Sequence, residues 1–223
     1  MSRTIFTGAR LFDGERAPDA RERAAGGASV AVEGDRIVEV RRDGALAARP
    51  GDRVVDLAGM TLMPGMVQAH FHSTFAGWSA GAPQLGLERP APLATLVARD
   101  NVETALACGF TSVVGSSAPY YIDKALVDAQ LQGLFVGPRI VPGSHEIMVP
   151  GCEADGEARH YYMQLGNQGL ILHACGVDEM RRVVRTEIAR GAEIVKLAAS
   201  EGHALGGADD RETVSPAELR SAA

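Results

Sequence analysis

Cysteines, basic clusters and long apolar runs are all scarce in this chain of 223 residues. The three cysteines, Cys108, Cys152 and Cys175, are odd in number and widely separated. They fit neither a disulfide framework nor a Cys-x-x-Cys metal site, so we expect a protein of the reducing cytoplasm. Cys152 is only a weak candidate for a nucleophile, because most protein thiols are inert.

The charge and the missing motifs exclude further classes of protein. A net charge of −6 without basic clusters argues against nucleic acid or an anionic membrane surface as a partner. No apolar run approaches the roughly 18 residues of a membrane span, and residues 1–8 lack the form of a signal peptide. The absence of Gly-x-Gly-x-x-Gly and Gly-Lys-Ser/Thr motifs argues against a nucleotide- or sugar-binding α/β protein.

The most informative stretch of the chain is residues 60–74. An apolar run is broken at Pro64-Gly65 and followed by the sequence Met-Val-Gln-Ala-His-Phe-His. If residues 66–72 form a strand, alternate side chains share a face, and His70 and His72 project to the same side. Two neutral imidazoles on one face can bind a single zinc, iron or nickel ion. A hairpin with two half-exposed histidines is the alternative.

The first 64 residues predict short β-strands and carry no candidate catalytic residue. The hairpin prediction rests on the turn-like tetrapeptide Glu33-Gly34-Asp35-Arg36 between two apolar runs. The polar segment 16–27 predicts a loop. The predicted strands are residues 3–11, the two arms of the hairpin 29–41, and residues 54–57 and 61–63.

From residue 66 onward, strands alternate with helices, which indicates a parallel sheet built of βα units. The predicted strands are residues 66–72, 110–114, 139–142 and 194–200. The predicted helices are residues 93–106, 122–131 and 178–190, the last with Asp178 as N-cap and a buried stripe of Met180, Val183, Val184 and Ile188. Residues 143–176 predict a long irregular segment. Four strands are half of an eight-stranded barrel.

Two features lead us to expect that the four strands need additional structure. Ser215-Pro216-Ala217-Glu218 is a well-formed helix start, but the last residue, Ala223, follows less than two turns later. Four barrel strands also leave open edges, and apolar residues facing inward lack an opposite wall. We expect this of Val67, Val113, Ile140 and Leu197. The chain is therefore predicted to associate, as a homo-oligomer or with a missing C-terminal half.

Two segments carry a resemblance to a known family. The sequence Leu-Met-Pro-Gly-Met-Val-Gln-Ala-His-Phe-His of residues 62–72 resembles the first barrel strand of the metal-dependent amidohydrolases, with Gln68 in place of the usual Asp. Residues 187–197 resemble the fourth barrel strand of the amidohydrolases related to imidazolonepropionase and the Xaa-Pro dipeptidases. The resemblance implies an α/β fold: a partial TIM-like (β/α)8 barrel, strands one to four, in residues 65–223. Residues 1–64 correspond to a portion of the N-terminal β-sandwich.

The resemblance implies a metal site formed by His70, His72 and Lys196. Lys196 is a lone lysine in an apolar strand, where an uncompensated ammonium is costly, so it is expected to be paired, neutralised or modified. In many relatives this lysine is carboxylated and bridges two metal ions. A lysine paired with Glu or Asp is the alternative. The implied cofactor is one or two divalent metal ions, with zinc the first choice.

Two further histidines are predicted to contact substrate. Ser200-Glu201-Gly202-His203 stands where relatives have Thr-Gly-Gly-His, which implies that His203 lies at the mouth of the metal site. His145 follows the third predicted strand, on the face where barrel active sites lie. For each of them a polar loop position is the alternative. His160 and His173 are predicted to be surface or packing residues.

The implied reaction is metal-assisted hydrolysis of an amide-like C–N bond in a small molecule, such as an N-acyl amino acid, a dipeptide or a cyclic amide. The family takes two more His ligands from strands five and six and a catalytic Asp from strand eight. Those strands lie beyond the resemblance, which covers about the first half of the family's length, so no catalytic residue is assigned. The alternative is a non-catalytic remnant or one subunit of a split barrel.

Overall fold

The computed structural model describes residues 3–16, 19–20, 26–76, 89–150, 169–199 and 213–223. It contains two compact units, Met1–Gly65 and Met66–Ala223, and each is described by itself. None of the helices in these ranges is long and apolar enough to cross a membrane.

The first unit contains a five-stranded sheet. Its strands are β1 (Arg3–Leu11), β2 (Ala28–Glu33), β3 (Arg36–Arg41), β4 (Arg53–Asp56) and β5 (Thr61–Leu62). The strand order is β3-β2-β1-β4, and β5 pairs with the end of β1. The pairs β1–β2 and β2–β3 are antiparallel, whereas β4 and β5 run parallel to β1. The predicted hairpin is confirmed. Its second arm, β3, is exposed along its whole length.

The second unit combines parallel strands with helices. Its strands are β6 (Met66–Phe71), β7 (Phe110–Gly115), β8 (Arg139–Val141), β9 (Gly143–Met148), β10 (Ile171–His173) and β11 (Ile194–Leu197). Its described helices are α1 (Ala91–Ala107), α2 (Ile122–Leu131), α3 (Val177–Ala189) and α4 (Pro216–Ala222), with a short 3-10 helix at Pro119–Tyr121. The strands form two parallel sheets, β6-β7-β8 and β10-β9-β11.

The largest departure from the sequence prediction lies around Pro142. Residues 143–176 were expected to be irregular, but Gly143–Met148 and Ile171–His173 are strands. Pro142 separates β8, which pairs with β7, from β9, which pairs with β10 and β11. The sequence Gly-Ser-His-Glu at the start of β9 has low β-propensity. It is a strand because its neighbours pair with it and its polar side chains find partners inside the unit.

The helices follow their predictions with two corrections. The N-cap of α3 is Gly176, with φ +81°, and Asp178 lies in the first turn, where its charge complements the helix dipole. Ile188 is 55% exposed, and the fourth buried position of the α3 stripe is Glu187 at 0%. Positions 180, 183, 184 and 187 follow the helical period more closely than 188 does. The predicted capping box of Ser215 and Glu218 is confirmed.

Two hydrophobic cores hold the sheets against the helices. The first includes Ala98 and Val102 of α1, Leu126 of α2, Val113 of β7 and Ile140 of β8. Val113 and Ile140 are 1% and 7% exposed, so the expectation that they lack packing partners is wrong. The second core joins Ile147 of β9 to the buried stripe of α3. The helix-facing side of both sheets is thereby filled.

Candidate metal centre

His70 and His72 meet at the carboxyl end of β6. Their Nε2 atoms lie 3.1 Å apart, and the ring centroids are separated by 5.0 Å. Two imidazoles bound to one tetrahedral zinc, at about 2.0–2.1 Å each, have their ligating nitrogens about 3.3 Å apart. The pair therefore fits a single divalent ion held through both Nε2 atoms.

The ring of His72 is held from two sides. Its Nδ1 lies 3.1 Å from Ser117 Oγ, just beyond the end of β7. The Phe75 ring stacks on it at 4.1 Å between centroids, with 9° between the planes. A metal-binding histidine usually uses its second ring nitrogen in such a hydrogen bond, which fixes the direction of the first. Ser117 was not identified from the sequence.

Both imidazoles are in the neutral form near pH 7. Burial lowers the pKa of His72 from 6.5 to about 4, helped by the charges of His70 and Lys196, while a hydrogen bond to the Ser117 backbone acts in the opposite direction. Burial and the charge of Lys196 also lower the pKa of His70. Neutral imidazole is the form that binds a metal ion, so protons do not compete for these nitrogens at neutral pH.

Gln68 lies on the same face of β6 as His70. Its Oε1 accepts a hydrogen bond of 3.3 Å from the His70 backbone N–H. The side chain thus folds back along its own strand, where it braces the segment that carries both histidines.

Lys196 lies in β11 and pairs in register with Glu146 of β9. Its Nζ is 4.0 Å from Glu146 Oε1, and its backbone N–H donates to Ser144 Oγ at 2.9 Å. The same lysine lowers the pKa of both His70 and His72. The three predicted ligands therefore lie close enough for their charges to interact. In this structure Lys196 is an ion-paired lysine, which was the alternative to ligation; its carboxylation stays a prediction.

Glu146 was missed because its segment was predicted to be irregular. Strand alternation places Ser144 and Glu146 on one face of β9 and His145 and Ile147 on the other. Recognising residues 143–148 as a strand would have placed Glu146 on the opposite face from His145.

His145 is on the helix-facing side of β9 and has no exposed surface. Its Nδ1 lies 2.8 Å from Glu187 Oε2, which also accepts the His145 backbone N–H at 2.9 Å. Tyr121 contacts the ring edge-on, at 4.7 Å between centroids, and donates to Glu187 Oε1. His145 is therefore a buried strand residue and not a polar loop residue, and it lies on the opposite face of β9 from Glu146. Its contact with substrate stays a prediction.

The remaining predicted site residue, His203, lies outside the described residues, as do His160 and Cys152. His173 ends β10 and is half-buried. Within the described ranges, no group of three or more His, Cys, Asp or Glu side chains is arranged to hold a metal ion. The part of the chain that the structure describes thus contributes the histidine pair, with Lys196 and Glu146 nearby.

The chain is similar to known hydrolases in sequence and in fold. It is 47% identical over 58 residues to imidazolonepropionase of Anaeromyxobacter sp. strain K, a match that covers 25% of this chain and 14% of that protein. A solved amidohydrolase structure matches 99% of the chain with a TM-score of 0.75 and 27% identity. A prolidase complexed with N-methylphosphonate-L-proline also matches 99%, with a TM-score of 0.73 and 26% identity. No family model matches.

The chain spans 52% of the length of each of these two solved structures. The fold matches along almost the whole chain, at 26% and 27% sequence identity. Over that half of their length, the chain resembles the amidohydrolases in both sequence and mixed α/β fold.

Proposed function

We propose that this chain contributes His70, His72 and Lys196 to the metal site of a hydrolase that acts on amide-like C–N bonds. Small molecules such as an N-acyl amino acid, a dipeptide or a cyclic amide are the substrate class, and zinc is the metal. The observation that carries the proposal is the convergence of the two neutral imidazoles, with 3.1 Å between their Nε2 atoms. The similarity to imidazolonepropionase and prolidase supports the type of bond.

A bound divalent ion would lower the pKa of a water molecule and polarise the substrate carbonyl. The residues of this chain hold and orient the ion. His70 and His72 would hold it through Nε2, and Ser117 orients the His72 ring through Nδ1. An ammonium at Lys196 repels a cation, so this lysine becomes a ligand only as a carbamate. The neutral amine forms it by adding CO2 and releasing a proton.

The other ligands come from polypeptide that supplies further strands. We propose that the described parallel strands are the first part of a (β/α)8 barrel, since the two solved relatives are about twice as long as this chain. The alternative is that the chain is non-catalytic or is one subunit of a split barrel.

The test combines metal binding with a substrate panel. The purified chain is titrated with Zn²⁺ and assayed on N-acyl amino acids, Xaa-Pro dipeptides and cyclic amides. We expect Zn²⁺ binding that is lost in His70→Ala and His72→Ala and kept in the matched control His173→Ala. Hydrolysis by the purified chain alone would show that the site needs no ligands from further polypeptide. Equal Zn²⁺ binding in all three variants overturns the proposed site.

A further inference from the structure

The turn that follows β6 carries His72 and the phenyl ring that stacks on it. Residues 72–75 close the turn through a hydrogen bond of 3.3 Å from the Phe75 backbone N–H to the His72 carbonyl. Ser73 and Thr74, between them, are only 2% and 1% exposed. The direction of the His72 ring therefore depends on how this buried turn is held.

Asn101 of α1 holds the turn from one side. Its Nδ2 donates to the carbonyl of Ser73 at 2.7 Å and to the carbonyl of Phe75 at 2.8 Å. Asn101 is half-buried, beside the buried α1 residues Ala94, Ala98, Val102 and Ala105, which are all small or apolar. An amide among them uses both of its N–H groups on a single turn, which neither alanine nor a carboxylate can do.

Asp123 of α2 holds the turn from a second side. Its side chain is 1% exposed; Oδ1 accepts the Ser73 hydroxyl at 2.5 Å, and Oδ2 accepts the Gly143 backbone N–H at 3.2 Å. Burial raises the pKa of this carboxyl, while its two hydrogen bonds act in the opposite direction. Burying a carboxyl group costs free energy unless its oxygens are hydrogen-bonded. We therefore expect Asp123 to do more than fill space in the core.

Two glycines, Gly115 and Gly143, pack closely against each other and against Asp123. A Cβ on Gly115 would lie 2.0 Å from Asp123 Oδ2 and 2.5 Å from the Gly143 nitrogen. A Cβ on Gly143 would lie 2.6 Å from the Gly115 carbonyl oxygen. Two residues after Gly115 comes Ser117, which contacts the His72 ring. The same cluster thus locates both the turn and the hydrogen-bond partner of the imidazole.

We propose that Asn101 and Asp123 are positioning residues for His72: together they clamp the turn of residues 72–75 and so aim His72 Nε2 at the position shared with His70. The expected change in metal affinity rests on the proposed function. The expected change in the orientation of the His72 ring does not. Removing outer partners of a metal ligand typically weakens metal binding about 10- to 100-fold.

The variants separate positioning from general stability. Asn101→Asp is isosteric and removes both N–H donors, Ser73→Ala removes the hydroxyl bound to Asp123, and Ser73→Thr keeps a hydroxyl. Asp123→Asn tests the carboxylate itself. Val183→Ala is the control, because it opens a cavity in the core of α3, which contains neither the turn nor its partners. The full chain is measured in each case.

Three readouts are compared. The dissociation constant for Co²⁺ is measured from the visible absorption band of the bound ion. The tautomer of His72 in the metal-free protein is measured by long-range ¹H–¹⁵N NMR, and the melting temperature is measured for every variant. We expect Asn101→Asp and Ser73→Ala to bind Co²⁺ about 10- to 100-fold more weakly. They should also shift the His72 tautomer populations away from those of the wild type, whereas Ser73→Thr and Val183→Ala keep the wild-type affinity and populations. If Asp123→Asn does not fold, these four variants still decide the question.

The proposal is overturned if Asn101→Asp and Ser73→Ala match the wild type in tautomer and in Co²⁺ affinity. It is also overturned if Val183→Ala, at an equal loss of melting temperature, changes His72 as much as they do. A wild-type chain that binds no Co²⁺ refutes the proposed metal site instead. The metal-free NMR comparison then decides by itself whether the clamp positions the ring.

Discussion

Lys196 and Glu146 face each other across two neighbouring parallel strands, with 4.0 Å between Nζ and Oε1. The lysine side chain is 27% exposed and the glutamate 14%, so the pair is partly screened by solvent. A carboxylate at this distance repels a second anion, such as a carbamate on the lysine. Carboxylation of Lys196 therefore competes with this ion pair.

Replacing Glu146 should make carboxylation of Lys196 easier. In Glu146→Gln the side chain keeps its size and loses its charge, so a carbamate at Lys196 no longer faces a second anion. We expect a stronger carbamate signal than in wild type when the protein is incubated with ¹³C-bicarbonate and observed by ¹³C NMR. Lys196→Ala is the control and should show no such signal. A free amine at Lys196 in every sample, beside a fully occupied metal pair, contradicts a bridging carbamate.

Bicarbonate should also affect catalysis if Lys196 is a bridging carbamate. In a metal-reconstituted, catalytically competent form, hydrolysis should rise with added bicarbonate. Lys196→Ala should lose one metal equivalent, and short carboxylic acids should restore part of the activity because they supply the missing anionic oxygens. The measurement is metal content together with hydrolysis rate across a bicarbonate series; a rate that does not change across it argues against the carbamate.

Removing either histidine should lower the bound divalent metal. His70→Ala and His72→Ala each delete one of the two converging Nε2 atoms. Gln68→Ala should have a smaller effect, because its amide supports the backbone of His70 and is a poor zinc ligand. Metal analysis of the three variants after equilibration with Zn²⁺ checks this. The same amount of bound metal per chain as in the wild type, in both histidine variants, would show that these residues are not the ligands.

His72 should make the metal-free protein less stable in mild acid. Its pKa is about 4 in the folded chain against an ordinary 6.5, so the unfolded chain takes up the proton first as the pH falls. The stability linked to the neutral imidazole is present above pH 6.5 and lost as the pH falls from 6.5 to about 4. We expect urea unfolding free energies to fall less over this window in His72→Gln than in wild type. His173→Gln is the control, and an identical pH dependence in wild type and His72→Gln would contradict the shift.

Glu187 should be essential for the packing of α3 on β9. In Glu187→Ala, the His145 imidazole and backbone N–H and the Tyr121 hydroxyl all lose their acceptor in a buried site. Each buried donor left without an acceptor costs about 1–3 kcal/mol. Arg185→Ala, on the exposed side of the same helix, should stay within about 0.5 kcal/mol of wild type. Denaturant unfolding compares the two, and similar values for both would show that the network contributes little.

The edge of the sheet at β6 should promote association of the isolated chain. Among the described strands β6 pairs only with β7, and Val67 is 60% exposed. Leu93 and Leu96 of α1 are also exposed, at 47% and 63%. An open strand edge with exposed apolar residues is a site for pairing with another chain. Size-exclusion chromatography with light scattering should show association that decreases in Val67→Thr with Leu96→Lys. A monodisperse wild-type monomer with a sharp thermal transition would refute this expectation.

Local patterns in the sequence were enough to locate most elements and the histidine pair. The alternation of a strand puts His70 and His72 on one face whatever packs around them, because it follows from backbone geometry alone. The capping box of Ser215 and Glu218 likewise involves residues three positions apart. Features whose partners are close in the chain can be predicted from the chain.

Contacts between distant segments were decided only by the tertiary structure. Ser73 and Asp123 are 50 positions apart, His145 and Glu187 are 42 apart, and the polar start of β9 is a strand because β10 and β11 pair with it. Which face of β9 carries Glu146 also depends on that pairing. The sequence by itself determined that His70 and His72 share one face of a strand. The tertiary structure decided which acid meets Lys196 and which buried side chains hold His72, because desolvation and hydrogen-bond geometry exist only once the strands and helices have packed.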